Sequence, residues 1–443
     1  MSTIIVGGGI IGVSIAYYLS DPKRSHRPKE IHIVDSSAEL FASASGFAAG
    51  FLAKDWFSPE LAPLGKLSFD LHRQLAKDNQ GAQKWGYMAG TAVNLQVQGA
   101  DGKKSRRGDD WLRRGASRAE AAVNEEAAVD EGDPSPLWLT KQRGGTVDKI
   151  SNNGSAAQVD PLRLCHFLLD KCVERGVRVH YPTRPVAILK KGTSSTGSEV
   201  VLQRLDTKEE LKMPCDNLIL AAGAWTPRVF KTLFSQSKTE IPVGALSGYS
   251  LLFRSPRHTL ENERETYAGQ SHAVFTTHPK ACGFSPEIFS RQGAEIYIAG
   301  LNSLDIPLPE VATDSLGIME REKSDRVKRA AVVLMGRADP DASTDEQGEA
   351  ANVDDLEVVR EALCFRPWTE SGRPIVGKIE HQLLDPTEAF RGEVFIATGH
   401  GPWGISLSLG TGKVVADLIT GANASADVSL LGLGGNGLIP SHL

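Results

Sequence analysis

The sequence predicts an α/β protein with material for two or three domains, the first opening on a parallel-sheet unit. Three observations predict this class. The chain opens with an apolar strand, a glycine-rich turn and a helical run. Strand-like and helical stretches then alternate, without an internal repeat, to about residue 420. The 443 residues are 41% hydrophobic and 23% charged, enough apolar side chain for more than one core.

The opening strand is Ile4-Ile5-Val6, which leaves no room for a secretory or transit peptide before it. Gly7-Gly8-Gly9-Ile10-Ile11-Gly12 follows and runs into Val13–Leu19. Gly7 permits the tight turn, Gly9 lets the backbone approach a pyrophosphate, and Gly12 lets helix and strand pack closely. The helix start offers unpaired N–H groups and a partial positive charge to phosphate. A second strand, Ile31–Val34, ends at Asp35, where a ribose hydroxyl needs an acceptor. Strand, glycine turn, helix and acidic strand end together predict a Rossmann-type dinucleotide site. Asp35 disfavours a 2′-phosphate and hence NADP, while NAD and FAD both remain open.

Composition excludes several classes. The net charge of −5 argues against a nucleic-acid binder, and no apolar run approaches the roughly 18 residues of a membrane span. Cys165, Cys172, Cys215, Cys282 and Cys364 form an odd set without a CxxC pair. That argues against a disulfide scaffold or thiolate metal site and fits a reducing compartment; no metal is expected. Residues 99–135 are basic and then acidic, and read as a solvated insertion. Residues 191–198 read as a hairpin tip, residues 336–355 as an acidic loop, and the last twenty or so as a loose tail. The terminal Ser441-His442-Leu443 fits the small–basic–leucine pattern of peroxisomal import, so a peroxisomal or cytoplasmic location is expected, with the import receptor as a partner in the first case.

Five further segments carry a family resemblance: the small-residue loop Ala42–Gly50; Gln158-Val159-Asp160-Pro161 with the helix after it; Pro185-Val186; Ile219-Leu220-Ala221-Ala222-Gly223-Ala224-Trp225; and Cys364-Phe365-Arg366-Pro367 with Gly372–Gly377 and Gly399-His400-Gly401-Pro402-Trp403-Gly404. In these the chain resembles the FAD-dependent amine and amino-acid oxidoreductases typified by glycine oxidase, sarcosine oxidase and D-amino-acid oxidase. More narrowly, Gly50–Trp56 (GFLAKDW) is similar to a fungal subgroup of uncertain substrate.

The resemblance implies FAD, contacted by Gly7, Gly9, Ile10, Ile11, Gly12, Asp35 and Ser36 along its dinucleotide part. Ser43, Ser45, Gly46, Ala49, Gly50 and Phe51 are implied beside the ring, with Val186 at the adenine and Ala222, Gly223 and Trp225 closing over the cofactor. Cys364, Arg366, Gly399, Gly401, Trp403, Gly404 and Ile405 complete the expected contacts. Arg366 matches the arginine that holds the substrate carboxylate, a role suited to a planar, permanently charged fork. Cys364 matches the position that carries FAD through a thioether in sarcosine oxidase; a small buried filler beside Phe365 is the alternative. Two departures stand out. The family's second basic side chain in the histidine–glycine segment is replaced around Pro402 and Trp403, and the oxygen-activating lysine of sarcosine oxidase is replaced by Tyr297. Lys54 and His400 are the candidates to supply the missing positive charge, and Tyr249, Tyr297, Trp56 and Trp403 to wall an apolar pocket.

The expectation is an enzyme that oxidises a CH–NH bond of a small amine or amino acid, with a carboxylate on the substrate and O2 or another acceptor taking the electrons. The resemblance implies a discontinuous Rossmann-type FAD domain of residues 1–58, 150–236 and 357–425, an α+β substrate domain on a mixed or antiparallel sheet from 59–149 and 237–356, and a tail 426–443. An NAD-dependent dehydrogenase, and a flavoprotein with structural FAD serving a scaffold or trafficking partner, are the alternatives.

Overall fold

A computed structural model describes residues 1–97, 134–190, 198–277, 282–337, 352–384 and 390–434. The charged insertion, the hairpin tip, the acidic loop and the terminal tripeptide fall largely or wholly outside these residues.

Six strands form the first sheet, in the order Ile375–Ile379, Glu393–Thr398, Asn217–Leu220, Ser2–Val6, Glu30–Val34, Arg178–His180. All neighbours are parallel except the first pair. The opening strand lies inside this sheet and is wholly buried, so Ile4-Ile5-Val6 form an apolar run rather than an alternating pattern. Helix Ile10–Leu19 follows it, and its face meets helix Gly404–Thr420. A Cβ on Gly412 would lie 2.6 Å from the Ser14 backbone, so only glycine permits this approach. Gly404–Thr420 buries residues on all sides, as its run of Leu, Ile, Val and small residues requires. A three-stranded antiparallel sheet, Thr183–Lys190, Ser198–Arg204 and Glu210–Cys215, flanks the expected hairpin tip.

The larger sheet has nine strands, in the order Glu357–Trp368, Gly244–Arg254, Glu295–Ser303, Glu287–Arg291, Ser271–Thr277, Met88–Val97, Ala156–Gln158, Phe51–Ala53, with Gly145–Lys149 beside Met88–Val97. It is mixed, because Ser271–Thr277 and Met88–Val97 run parallel while other pairs are antiparallel. Helix Arg321–Met335 packs on it through Val327, Ala330, Ala331 and Leu334.

Three strands from segments expected in the FAD domain, Phe51–Ala53, Ala156–Gln158 and Glu357–Trp368, pair in this second sheet. The first two are three residues long and show no periodicity that names a partner. Glu357–Trp368 pairs with Gly244–Arg254 along its length, after which the chain returns to the parallel sheet at Ile375. The site lies where the chain crosses between the two sheets. Among the described residues no helix is long and apolar enough to cross a membrane.

Candidate active site

One cavity of about 490 Å³ runs between the sheets. At one end its walls are Gly7, Gly9, Ile10 and Ile11, with Asp35, Ser36 and Ser37 opposite and Thr183, Arg184 and Pro185 beside them. Gly7 has φ +115°, and a Cβ there would collide with the Ala221 carbonyl. Asp35 accepts from the Gly8 N–H on Oδ2 and the Ser37 N–H on Oδ1, each at 2.8 Å. Burial raises its carboxyl above the usual range, against the pull of those two N–H groups. The Ile10 N–H, at the helix start, donates to Ser45 Oγ at 2.9 Å, which ties the small-residue loop across the glycine turn.

That loop forms the middle wall through Ser43, Ser45, Ala48 and Ala49. Arg291, 3% exposed, donates to the carbonyls of Ala48 and Ala49 and lies 4.7 Å from the Tyr297 ring centroid. Burial lowers its pKa; no carboxylate of the described residues pairs with it. Tyr297 donates its hydroxyl to the Phe47 carbonyl at 3.0 Å. Sequence reasoning missed Arg291. Its strand, Glu287–Arg291, is buried at four of five positions, and an arginine ending an apolar strand reads as exposed.

At the far end lie Cys364, Phe365, Arg366 and Pro367 from the long strand, His400, Gly401, Pro402, Gly404 and Ile405 from the turn before helix Gly404–Thr420, and Phe284, Tyr297, Asn302 and Arg326. Arg366 donates from Nη1 to Asn302 Oδ1 at 2.7 Å. His400 is buried, with Nε2 3.1 Å from Thr411 Oγ1 and no hydrogen-bond partner on Nδ1. Helix Gly404–Thr420 has no side-chain cap, so its N-terminal N–H groups and partial positive charge are presented beside the cavity.

A model of the FAD dependent oxidoreductase family matches residues 2–418. The chain belongs to this family. It is an FAD-dependent oxidoreductase enzyme, and the NAD-dependent alternative falls away. A Schizosaccharomyces pombe protein named only as an oxidoreductase is 27% identical over 97% of this chain and 96% of its own length. A D-amino acid dehydrogenase of Methylobacterium is 24% identical over 95% and 96%. The crystal structure of glycine oxidase from Geobacillus kaustophilus superposes with a TM-score of 0.67 at 21% identity, covering 98% of both chains, a likeness of fold.

The residues present fit FAD. The glycine turn excludes a Cβ at Gly7, two helix starts meet one cavity, and the His400 Nδ1 is buried without a partner. Of the expected contacts, Gly7, Gly9, Ile10, Ile11, Asp35, Ser36, Ser43, Ser45, Ala49, Ala222, Gly223, Trp225, Cys364, Arg366, His400, Gly401, Gly404 and Ile405 line the cavity.

The others do not. Gly12 and Gly46 sit against the carbonyls of Gly7 and Phe41, where they let elements approach rather than touch a ligand. Gly50, at φ +91°, backs onto the Val159 carbonyl, and Phe51 packs among Trp56, Phe275 and Phe289. Val186 falls at a register shift between Pro185 and Ala187. Gly399 faces Thr369, and Trp403 packs edge-on against Phe57 at 5.0 Å and near Trp56, so both tryptophans are core. Tyr249 is also core, accepting from the Glu320 N–H. Neither candidate for the missing positive charge fits that task. Lys54 follows a strand at the rim of the larger sheet, its N–H on the Ser155 carbonyl, away from the cavity lining. His400 lines the cavity, but burial pushes its pKa down to about 3, so it is neutral near pH 7.

Proposed function

We propose that this family member oxidises the CH–NH bond of a small amine or amino acid bearing a carboxylate, with O2 as the final acceptor and hydrogen peroxide as a product. Bound FAD would supply the hydride acceptor, its N5. One observation carries the reading: Arg366, with Asn302 as its hydrogen-bond partner, opens into the same cavity as the Gly7–Gly12 turn.

The chain's own groups have distinct tasks in this reaction. Arg366 holds the carboxylate through paired N–H donors, and the Asn302 carbonyl oxygen fixes the guanidinium in the orientation that leaves the other donors for substrate. Phe284, Tyr297, Phe365 and Ile405 exclude water from the reacting bond. The start of helix Gly404–Thr420 presents N–H groups and partial positive charge to the cavity, where they would stabilise negative charge on a reduced cofactor, and His400 keeps the turn in place while adding no charge. With Tyr297 in place of a lysine, that helix start and the Arg291 cation behind Tyr297 are the positive groups that would favour reaction with O2. An amine that is neutral at the moment of hydride loss needs no protein base.

Purified protein is expected to be yellow, and carboxylate-bearing amines to bleach its oxidised-flavin absorption under anaerobic conditions. Bound flavin that no amine bleaches would defeat the reading and favour a structural FAD. Oxygen uptake with stoichiometric peroxide tests the acceptor; bleaching by amine without reoxidation in air would replace O2 by another acceptor.

A further inference from the structure

We propose that the cavity takes a substrate with a second anionic group, held by Arg326 while Arg366 holds the first. This rests on the carboxylate-bearing amine reading above and extends it to a substrate class.

Two guanidinium groups line this cavity without a carboxylate partner among the described residues. Arg366 spends one of its five N–H donors on Asn302. Arg326 spends one on the Gly283 carbonyl, at 3.1 Å, with its guanidinium 5.6 Å from the Phe284 ring centroid. The contrast is Arg184, which lines the dinucleotide end and is already paired with Glu310 at 3.0 Å. Arginine forks left with open donors suit carboxylate or phosphate.

Both are placed by the strand Glu295–Ser303. Arg366 grips Asn302, and the Phe284 ring lies on Gly300, which has no room for a Cβ on that side. Asn302 and Gly300 flank Leu301, where the strand bulges at φ +51°, so both arginines are anchored on one short stretch of the cavity wall. Two arginine forks on one cavity wall suit a ligand with two acidic groups better than one with a single carboxylate. Helix Arg321–Met335 fixes the outer arginine: Val327, Ala330 and Leu334 are buried beneath it while Arg326 is exposed at the cavity rim. Two cations with open donors complement a substrate with two acidic groups.

The test uses FAD-loaded protein and ligands that cannot be oxidised: butyrate, glutarate and 3-phosphonopropionate, with perturbation of the flavin spectrum and thermal shift as readouts. At least one dianion is expected to bind about tenfold or more tighter than butyrate, and the better of the two identifies the outer group as carboxylate or phosphate. Arg326→Gln and Arg326→Ala should remove that gain and leave butyrate binding unchanged; Arg326→Lys should keep part of it. Equal affinity for butyrate and both dianions, a gain that survives in Arg326→Ala, or no binding by any of the three would overturn the proposal. A dianion gain in a protein whose flavin no amine reduces would leave this site standing and sink the redox reading instead.

Discussion

Arg366→Leu separates substrate capture from cofactor binding. In the native protein the guanidinium is half-buried and held by Asn302 Oδ1 at 2.7 Å. Leucine fills the apolar stem but removes the paired, charge-assisted hydrogen bonds to a carboxylate. Those are worth about 3 kcal/mol together after desolvation, or roughly a hundredfold in Kd. The lost bond to Asn302 costs stability about 1 kcal/mol, a side chain able to turn to water. FAD should remain, because Gly7, Gly9 and Asp35 stand at the opposite end of the cavity on the other sheet. Anaerobic stopped-flow reduction with the best carboxylate-bearing amine gives Kd from the saturation curve and the limiting rate separately. Expected is a Kd raised about a hundredfold with full flavin content; an unchanged Kd would refute the role assigned to Arg366.

Three other outcomes are expected. Gly7→Ala puts a Cβ into the Ala221 carbonyl at φ +115°, so the variant should lose FAD or fail to fold, read by flavin stoichiometry and circular dichroism; full flavin content would show that the turn relaxes. His72 and His400 are buried and neutral, with pKa values pushed down by burial to about 4 and about 3. Protons therefore bind the unfolded chain more readily below its histidine value of about 6.5, so stability is full above that pH and falls as pH drops toward 4, by about 1.4 kcal/mol per unit per histidine. Melting temperatures flat between pH 7 and 4.5 would contradict this. Burial raises the Cys364 thiol, which points to the Gly248 carbonyl at 3.8 Å, and so disfavours the thiolate a thioether requires. Acid precipitation should leave a yellow supernatant over a colourless pellet; a yellow pellet would establish the covalent bond.

The sequence by itself determined the dinucleotide half of this protein. Ile4–Gly12 and Asp35 act through local geometry: a strand that must be buried, a turn that only glycine can make, and a carboxylate at the end of the adjacent strand. The segments around Ala222, Cys364 and His400 were legible through family resemblance, and all line the cavity. Only the tertiary structure decided the charges. It removed Lys54 from the site and neutralised His400, because a side chain's charge depends on the burial around it rather than on its neighbours in sequence. It also placed Arg291 behind the loop and brought Arg326, Asn302 and Arg366 to one cavity. Arg326 and Arg366 are forty residues apart on a helix and a strand, and nothing local to either encodes the packing of that helix on the nine-stranded sheet that brings both to one cavity.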